Sequence, residues 1–411
     1  MSSEKPEIFI GLDLGTTKIC AIVAQVNGRD INIIGFGMHP STGLRRGIVV
    51  DVEKTTDCIA SAIEKAEEMS GQEIRSAFVG IAGGHIKSHI AHGVVNITDG
   101  RVTDGDMRRL IESATAKNVT ADREIIHAVP GKYSIDGKDS VINPLGMHGS
   151  KIETEVHIVT GQVTDTNTLV RCVREASMDV NGIVLEQIAS AAAVLNDADK
   201  DLGVVLVDCG GGTTDIAVFN RGGLKYTQNI TLGGDHIDRD ISHRFNTVSD
   251  LESRRIKESH GVAFERLASE CKNVTVRCSD NTEQKVSRRE IAKIIEPRMR
   301  EILSFAKEEI PDSVEIYGPS SKVILTGGTF VMEGAVEMAS EIFDMPARLG
   351  VPCGVVSNTE AILSPAYSTG IGLIHYGVKY SEKSDKIRVR GGKTPFNKIL
   401  GWMEQWFNEF F

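Results

Sequence analysis

One hairpin is written twice in this chain, and that repeat leaves few folds open to it. "IFIGLDLGTTKICAIVAQV" (Ile8 to Val26) and "GVVLVDCGGGTTDIAVFN" (Gly203 to Asn220) each run through a buried apolar strand, an aspartate, a glycine turn, two threonines and a second apolar strand. Asp13 matches Asp208, Gly15 matches the run Gly210, Gly211 and Gly212, Thr16 and Thr17 match Thr213 and Thr214, and Ile19 matches Ile216. A duplication of this kind predicts two similar α/β lobes related by a pseudo-twofold axis, with the two turns facing each other across a cleft.

Residue type sets the chemistry of such turns. Glycines let backbone N–H groups converge on an anion with no Cβ in the way, and threonine hydroxyls add donors, so each turn can cradle phosphate oxygens. Asp13 and Asp208, at the strand ends beside the turns, are placed to hold Mg²⁺ through its waters, and Lys18 adds a positive charge. A third glycine turn, "VILTGGTFVMEG" (Val323 to Gly334), ends its strand at Thr326, brings backbone close to a ligand at Gly327 and Gly328, and predicts a helix from near Met332. Either hairpin alone reads as an ordinary β-turn; the pattern repeated in register with the third turn favours a phosphate-binding site.

Composition excludes several classes. The net charge of −10 leaves no basic excess to neutralise nucleic-acid phosphates. Seven scattered cysteines without a C-x-x-C pair suit a reducing compartment and no zinc site. The start, "MSSEKPEIFIGLDLG", predicts no secretory leader, and no run of eighteen apolar residues predicts a spanning helix.

The three turns in this order resemble the actin, sugar-kinase and heat-shock-chaperone ATPase superfamily. The resemblance implies an actin-like bilobed fold binding ATP and Mg²⁺, with "LEQIASAAAVL" (Leu185 to Leu195) as the helix between lobes. It implies catalytic positions at Glu186, to orient the attacking water, and Asp208, and adds Gly233, Gly234 and Lys257 to the nucleotide contacts. Two departures stand out: Gln187 follows Glu186 where several relatives have proline, and Arg254, which cannot accept a hydrogen bond, stands where many keep a ribose-accepting glutamate. Between Gly84 and Thr160 the pattern reads strand, helix, strand, strand, a small inserted α/β subdomain. That insert, with "GLDLGTTK", "RRGIVVD", "DCGGGTTDIAV" and "ILTGG", resembles the FtsA family of bacterial cell-division proteins over essentially the whole chain.

The expected organisation is a first lobe at 1–83 and 161–198, the insert at 84–160, a second lobe at 199–232 and 311–380 with a small subdomain at 233–310, a linker at 381–393 and a terminal helix at 394–411. In that helix Phe396, Ile399, Leu400, Trp402, Met403, Trp406, Phe407, Phe410 and Phe411 share one face. Tryptophan and phenylalanine on one face, behind a basic linker, favour an anionic membrane surface over docking on the chain's own body. Ordering a free segment costs about 1–2 kcal/mol per residue, so one tail is a reversible anchor and several tails on one assembly bind far more firmly. Head-to-tail filaments are expected for that reason, and the resemblance implies the same.

In the small subdomain, "SRREIAKIIEPRMREILSFAKEEI" (Ser287 to Ile310) has an apolar stripe of Ile291, Ile294, Ile295, Ile302 and Ala306, and Arg289, Lys293 and Arg300 on the opposite face. Pro297 is expected to interrupt the helix and turn Arg298 outward. The resemblance implies that the C-terminal peptide of the division protein FtsZ docks here, with other division proteins engaging the insert, at the cytoplasmic face of the inner membrane at the division site. It implies at most a slow ATPase, with nucleotide regulating assembly. A pilus-assembly platform protein of the same fold, or a kinase or ATPase enzyme of the superfamily, stays open as the alternative.

Overall fold

The computed structural model describes residues 6–384, apart from 117–119, 271–272, 315, 317 and 319. The membrane-tail prediction, and the linker from residue 385 onward, lie outside the described residues.

Each repeat folds as the same antiparallel hairpin. Glu7–Leu14 pairs with Lys18–Asn27, and Val204–Cys209 with Thr214–Asn220. The register is equivalent: Asp13 lies opposite Cys20, and Asp208 opposite Asp215. Each hairpin continues into a third antiparallel strand, Asp30–Pro40 in one lobe and Gly223–Ile230 in the other. On its other side each gains a parallel neighbour, Ser76–Ile81 or Lys322–Thr326. Strands buried on both faces read as continuous apolar runs, which is why "VVLVDC" carries no alternation. The helix Val52–Ser70 covers the first sheet with Cys58, Ile59, Ala62, Ile63 and Ala66, starts at an Asp51 cap and stops at left-handed Gly71.

The insert contains one more strand than expected. Lys87–Asn96, Arg123–Ile135, Lys138–Val141 and Lys151–Gln162 form one sheet, with the helix Asp104–Thr115 on it. The extra strand, Lys138–Val141, follows a two-residue turn at Asp136 and Gly137, both at positive φ, which folds "SIDGKDSV" back on itself. Periodicity over four residues is too short to reveal it.

Two boundaries differ from expectation. Residues from Val356 onward belong to the first lobe: Val356–Ser357 pairs with Asp30–Pro40, and the final helix, Ser368–Ser384, packs on the first sheet and on the interlobe helix Glu186–Val194. A Cβ at Gly372 would lie 1.8 Å from the Ala189 carbonyl oxygen, so the two helices touch backbone to backbone. Ile371, Leu373 and Ile374 are fully buried there. The helix also runs four residues into the expected linker, because serine, glutamate and lysine extend a helix at little cost and no glycine or proline intervenes before Gly391.

The small subdomain comprises the helices Gly234–Phe245, Asp250–His260 and Arg288–Glu308 and the hairpin Asn273–Arg277/Glu283–Ser287. Its core residues Ile237, Ile256, Ile291, Ile295 and Met299 continue into Val205, Val207, Ile216 and Val218 of the second lobe. Contrary to expectation, Pro297 does not interrupt the helix Arg288–Glu308. An interior proline costs about 3 kcal/mol, whereas each fully buried side chain such as Ile295, Met299 and Ile302 returns roughly 1.5–3 kcal/mol. Pro297 lies on the exposed side, where water can reach the carbonyl it leaves unpaired.

Candidate functional site

The two glycine turns meet tip to tip. A Cβ at Gly211 would fall 1.6 Å from Thr17 Oγ1, and one at Gly212 2.6 Å from Thr16 Oγ1. Only glycine allows this approach. Thr17 Oγ1 donates to Asp235 at 3.2 Å, and the Gly47 N–H donates to Thr16 Oγ1 at 3.2 Å. Behind the second turn, the Gly234 and Asp235 N–H groups donate to the Gly210 and Gly211 carbonyls at 2.9 and 2.8 Å, and a Cβ at Gly233 would fall 2.6 Å from the Gly211 carbonyl oxygen, so this segment buttresses the turn. Thr214 is fully buried and donates to the Leu232 carbonyl, while Thr213 closes the turn through its carbonyl to Gly210 N–H. The third turn closes on the same place: Gly327, at φ 90°, would put a Cβ 2.5 Å from Asp208 Oδ1, and Thr329 donates to the Gly210 carbonyl. After Gly328 comes a short 3-10 turn, and the helix begins at Ala335, three residues later than expected.

Asp13 and Asp208 are buried at the base of the turns. Burial pushes the Asp13 carboxyl up to about 6, with Lys18 pulling it down and Asp208 pushing it up. Asp208 is raised by burial and held down by hydrogen bonds from Ser190 and Thr369. Lys18 Nζ donates to the Ala366 carbonyl at 2.7 Å and sits 3.8 Å from the centre of the Tyr367 ring. Glu186 stands against Gly80, its carboxyl raised well above the usual range by burial, then by Asp13, Asp215 and Asp208.

Sequence reasoning missed Asp215. Its Oδ1 accepts from Gln187 Nε2 at 2.5 Å and Asn229 Nδ2 at 2.8 Å, and burial raises it to about 7. The signal was present in "GGGTTD", seven residues beyond Asp208 and therefore opposite it in the hairpin. Ser190 was legible as the residue one helical turn beyond Glu186; Thr369, 161 residues from Asp208, carried no signal.

Lys257 is buried, with Nζ on Asp238 at 2.9 Å and on the Gly234 carbonyl at 3.0 Å. Arg254 lies near Asp235 and Asp238 at 3.4 and 3.5 Å. Both therefore brace the helix that supports the second turn. On the expected partner helix, Arg289 pairs with Glu265 and Glu270, Lys293 lies 3.7 Å from Glu265, and Arg300 pairs with Glu341. Arg298 is not turned outward: it is half-buried, its guanidinium on Asp240 at 2.6 and 3.1 Å and on Glu301. Met299 takes the place on the buried stripe.

Among the described residues no group of three or more histidine, cysteine, aspartate and glutamate side chains is gathered to hold a metal. The residues present nevertheless fit Mg²⁺ with a phosphate ligand. Mg²⁺ needs only one or two carboxylates when water and phosphate complete its shell, and Asp13 and Asp208 form such a pair beside glycine turns that any Cβ would fill. Among the same residues no helix is long and apolar enough to cross a membrane.

Two duplicated lobes, glycine turns that meet between them and paired strand-end carboxylates define an actin-like protein. The fold is similar to that of the PilM-PilN type IV pilus biogenesis complex, with TM-score 0.65 and 13% identity, covering 90% of this chain and 98% of that one. It is also similar to MreB5 of Spiroplasma citri bound to ADP, with TM-score 0.54 and 15% identity, covering 92% of this chain and 98% of that one. Residues 83–160 match the family described as the SHS2 domain inserted in FtsA, and residues 205–372 match cell division protein FtsA. The chain is 39% identical to cell division protein FtsA of Pseudomonas aeruginosa, over 98% of each chain. It is 35% identical to that of Bacillus subtilis, over 95% of this chain and 86% of the relative. The chain belongs to the FtsA family: it is a cell-division homologue of actin.

Proposed function

We propose that this chain binds Mg·ATP between its lobes, self-associates head to tail, and uses its C-terminal helix to hold FtsZ polymers at the inner face of the cytoplasmic membrane at the division site. The observation that carries the nucleotide reading is the meeting of the two glycine turns over Asp13 and Asp208. In this reading the turn amides and Thr16, Thr17 and Thr213 hydroxyls bind phosphate oxygens, Asp13 and Asp208 hold Mg²⁺ through its waters, and Lys18 exchanges the Ala366 carbonyl for a phosphate. The metal supplies charge neutralisation at the phosphates.

The chain's own residues favour slow turnover. A base that takes a proton from water must be ionised, and burial together with three neighbouring carboxylates raises Glu186 well above the usual carboxylate range, which disfavours that role. That supports nucleotide as a regulator of assembly over a kinase or a fast ATPase. The pilus-assembly alternative has the fold in its favour, while the 39% identity to an FtsA favours division. The helix face carrying Arg289, Lys293 and Arg300, with Arg298 drawn onto Asp240 and Glu301, is the proposed seat of an acidic and apolar FtsZ peptide, and the insert is open to other division proteins.

Vesicle flotation with and without Mg·ATP and FtsZ, with phosphate release followed in the same samples, tests the reading. Flotation that recruits FtsZ with little turnover is expected. Multiple turnover stimulated by a small molecule, without flotation, would replace the adaptor with an enzyme.

A further inference from the structure

The insert touches the interlobe helix and the second lobe, and it does so with two buried histidines. On the first-lobe side, His127 in the strand Arg123–Ile135 accepts from the Leu185 N–H at 3.0 Å. Leu185 is the residue on which the interlobe helix starts, immediately before Glu186 and Gln187. On the second-lobe side, His157 Nε2 meets Thr227 Oγ1 at 2.9 Å, and Ser88 Oγ donates to the Thr227 carbonyl at 2.9 Å. Thr227 lies on the strand Gly223–Ile230, two residues before Asn229 and so on the same face of the sheet. Asn229 holds Asp215, and Gln187 reaches across from the interlobe helix to the same carboxylate and to the Gln228 carbonyl at 3.3 Å.

The contacts close a loop from insert to interlobe helix, to Asp215, to Gly223–Ile230 and back to the insert. Burial holds both imidazoles neutral, each down to about 3, so neither contact changes with pH in the physiological range. His127 must then be the tautomer with an unprotonated Nε2, since it accepts a backbone N–H. Leu185 packs in one core cluster with Val129 and Val159 of the insert, Ile188 and Ala189 of the helix and Tyr376, and the buried His127 ring lies 6.0 Å from the Tyr376 ring. Packed layers shift between discrete arrangements more readily than they deform continuously, so a change in lobe closure must displace the insert.

We propose that the insert is a strut between the lobes: His127 holds the head of the interlobe helix while Ser88 and His157 hold Thr227, so that lobe closure on a nucleotide and the ordering of the insert strands stabilise each other. The nucleotide half of this inference rests on the function proposed above. Linkage makes the effect reciprocal, by the same factor in both directions.

The test uses the full chain and two sets of variants. Ser88→Ala with Thr227→Val keeps shape and removes the second-lobe contact. His127→Ala removes the acceptor for Leu185, and His127→Gln restores one. Hydrogen exchange is measured at 185–189, 223–230, 87–96 and 123–135, with and without Mg·ATP, and nucleotide affinity is measured by titration. We expect Mg·ATP to slow exchange in the two insert strands. The double variant should abolish that slowing and bind Mg·ATP about 5-fold or more weakly. Insert exchange blind to nucleotide, together with wild-type affinity in the double variant, overturns the strut. If the wild type binds no nucleotide, the proposed function fails by itself and the strut is judged without ligand. There, faster exchange at 185–189 in His127→Ala, reversed in His127→Gln, upholds it, and unchanged exchange overturns it.

Discussion

At the scale of single residues, four carboxyl groups are gathered behind the glycine turns, and burial disfavours the charged form of each. Asp13, Asp208, Asp215 and Glu186 are all raised by burial, with Lys18 the cation that acts on Asp13 and Asp208. Asp208→Ala removes one of the two metal-side carboxylates, and should weaken Mg·ATP binding about 10- to 100-fold by titration. Gly211→Val should weaken it too, because its side chain would have to displace Thr17. Affinity unchanged in both variants would leave the hairpins as structural remnants. The acids also make a stability prediction. Asp215 sits near 7 in the folded protein against 3.8 for the ordinary carboxyl, so between those values the folded state binds the extra proton. Stability contributed by a raised carboxyl is therefore present at low pH and lost as pH rises from about 4 to 7. Asp215→Asn keeps an oxygen for Gln187 and Asn229 to donate to, and it cannot ionise. It should raise the melting temperature of the nucleotide-free protein at pH 8 and leave it nearly unchanged at pH 4; an equal shift at both values would refute the assignment.

At the scale of elements, the helix Arg288–Glu308 separates charge that is spoken for from charge that is free to act. Arg298 is shared between Asp240 and Glu301, so Arg298→Glu sets three carboxylates together and should lower both the melting temperature and FtsZ co-sedimentation. Lys293 is mostly exposed, its carboxylate neighbour Glu265 3.7 Å away, and exposed pairs contribute about 0–1 kcal/mol. Lys293→Glu is therefore the cleaner probe: FtsZ co-sedimentation should fall several-fold with melting essentially unchanged. Full FtsZ binding by Lys293→Glu and by Arg300→Glu would move the peptide off this helix. The apolar stripe of this helix was legible in part from its spacing; Ala292, Met299 and Leu303, all buried, were missed. The continuity through Pro297 was not, because a proline's local cost is visible in sequence and the burial that outweighs it comes from strands and helices far along the chain.

At the scale of the whole molecule, the final helix links the tail to the first lobe. It begins beside Thr369, which donates to Asp208, and it packs along the interlobe helix. Since the helix runs to Ser384, ending the chain there rather than at Tyr380 should leave a protein that melts cooperatively and binds Mg·ATP but no longer floats with vesicles. Trp406→Glu in the full chain should also abolish flotation, by placing a charge in the middle of the apolar face. A truncated form that still floats would remove the tail as anchor, and one that precipitates would mean the tail covers its own body.

The sequence by itself determined the two hairpins, their turns, the strand-end aspartates and the limits of the insert, because each is written in consecutive residues whose period and turn chemistry act locally. Asp215 was also written there, though it took the register of the hairpin to see that it lies opposite Asp208. Only the tertiary structure decided that residues beyond Val356 return to the first lobe, that Thr369 joins Ser190 in holding Asp208, and that two histidines of the insert reach elements of both lobes. Those contacts join positions as far apart as Asn32 and Val356, 324 residues (356 − 32) along the chain. Their energy comes from burial and hydrogen bonding between elements, and it exists only once the lobes have packed.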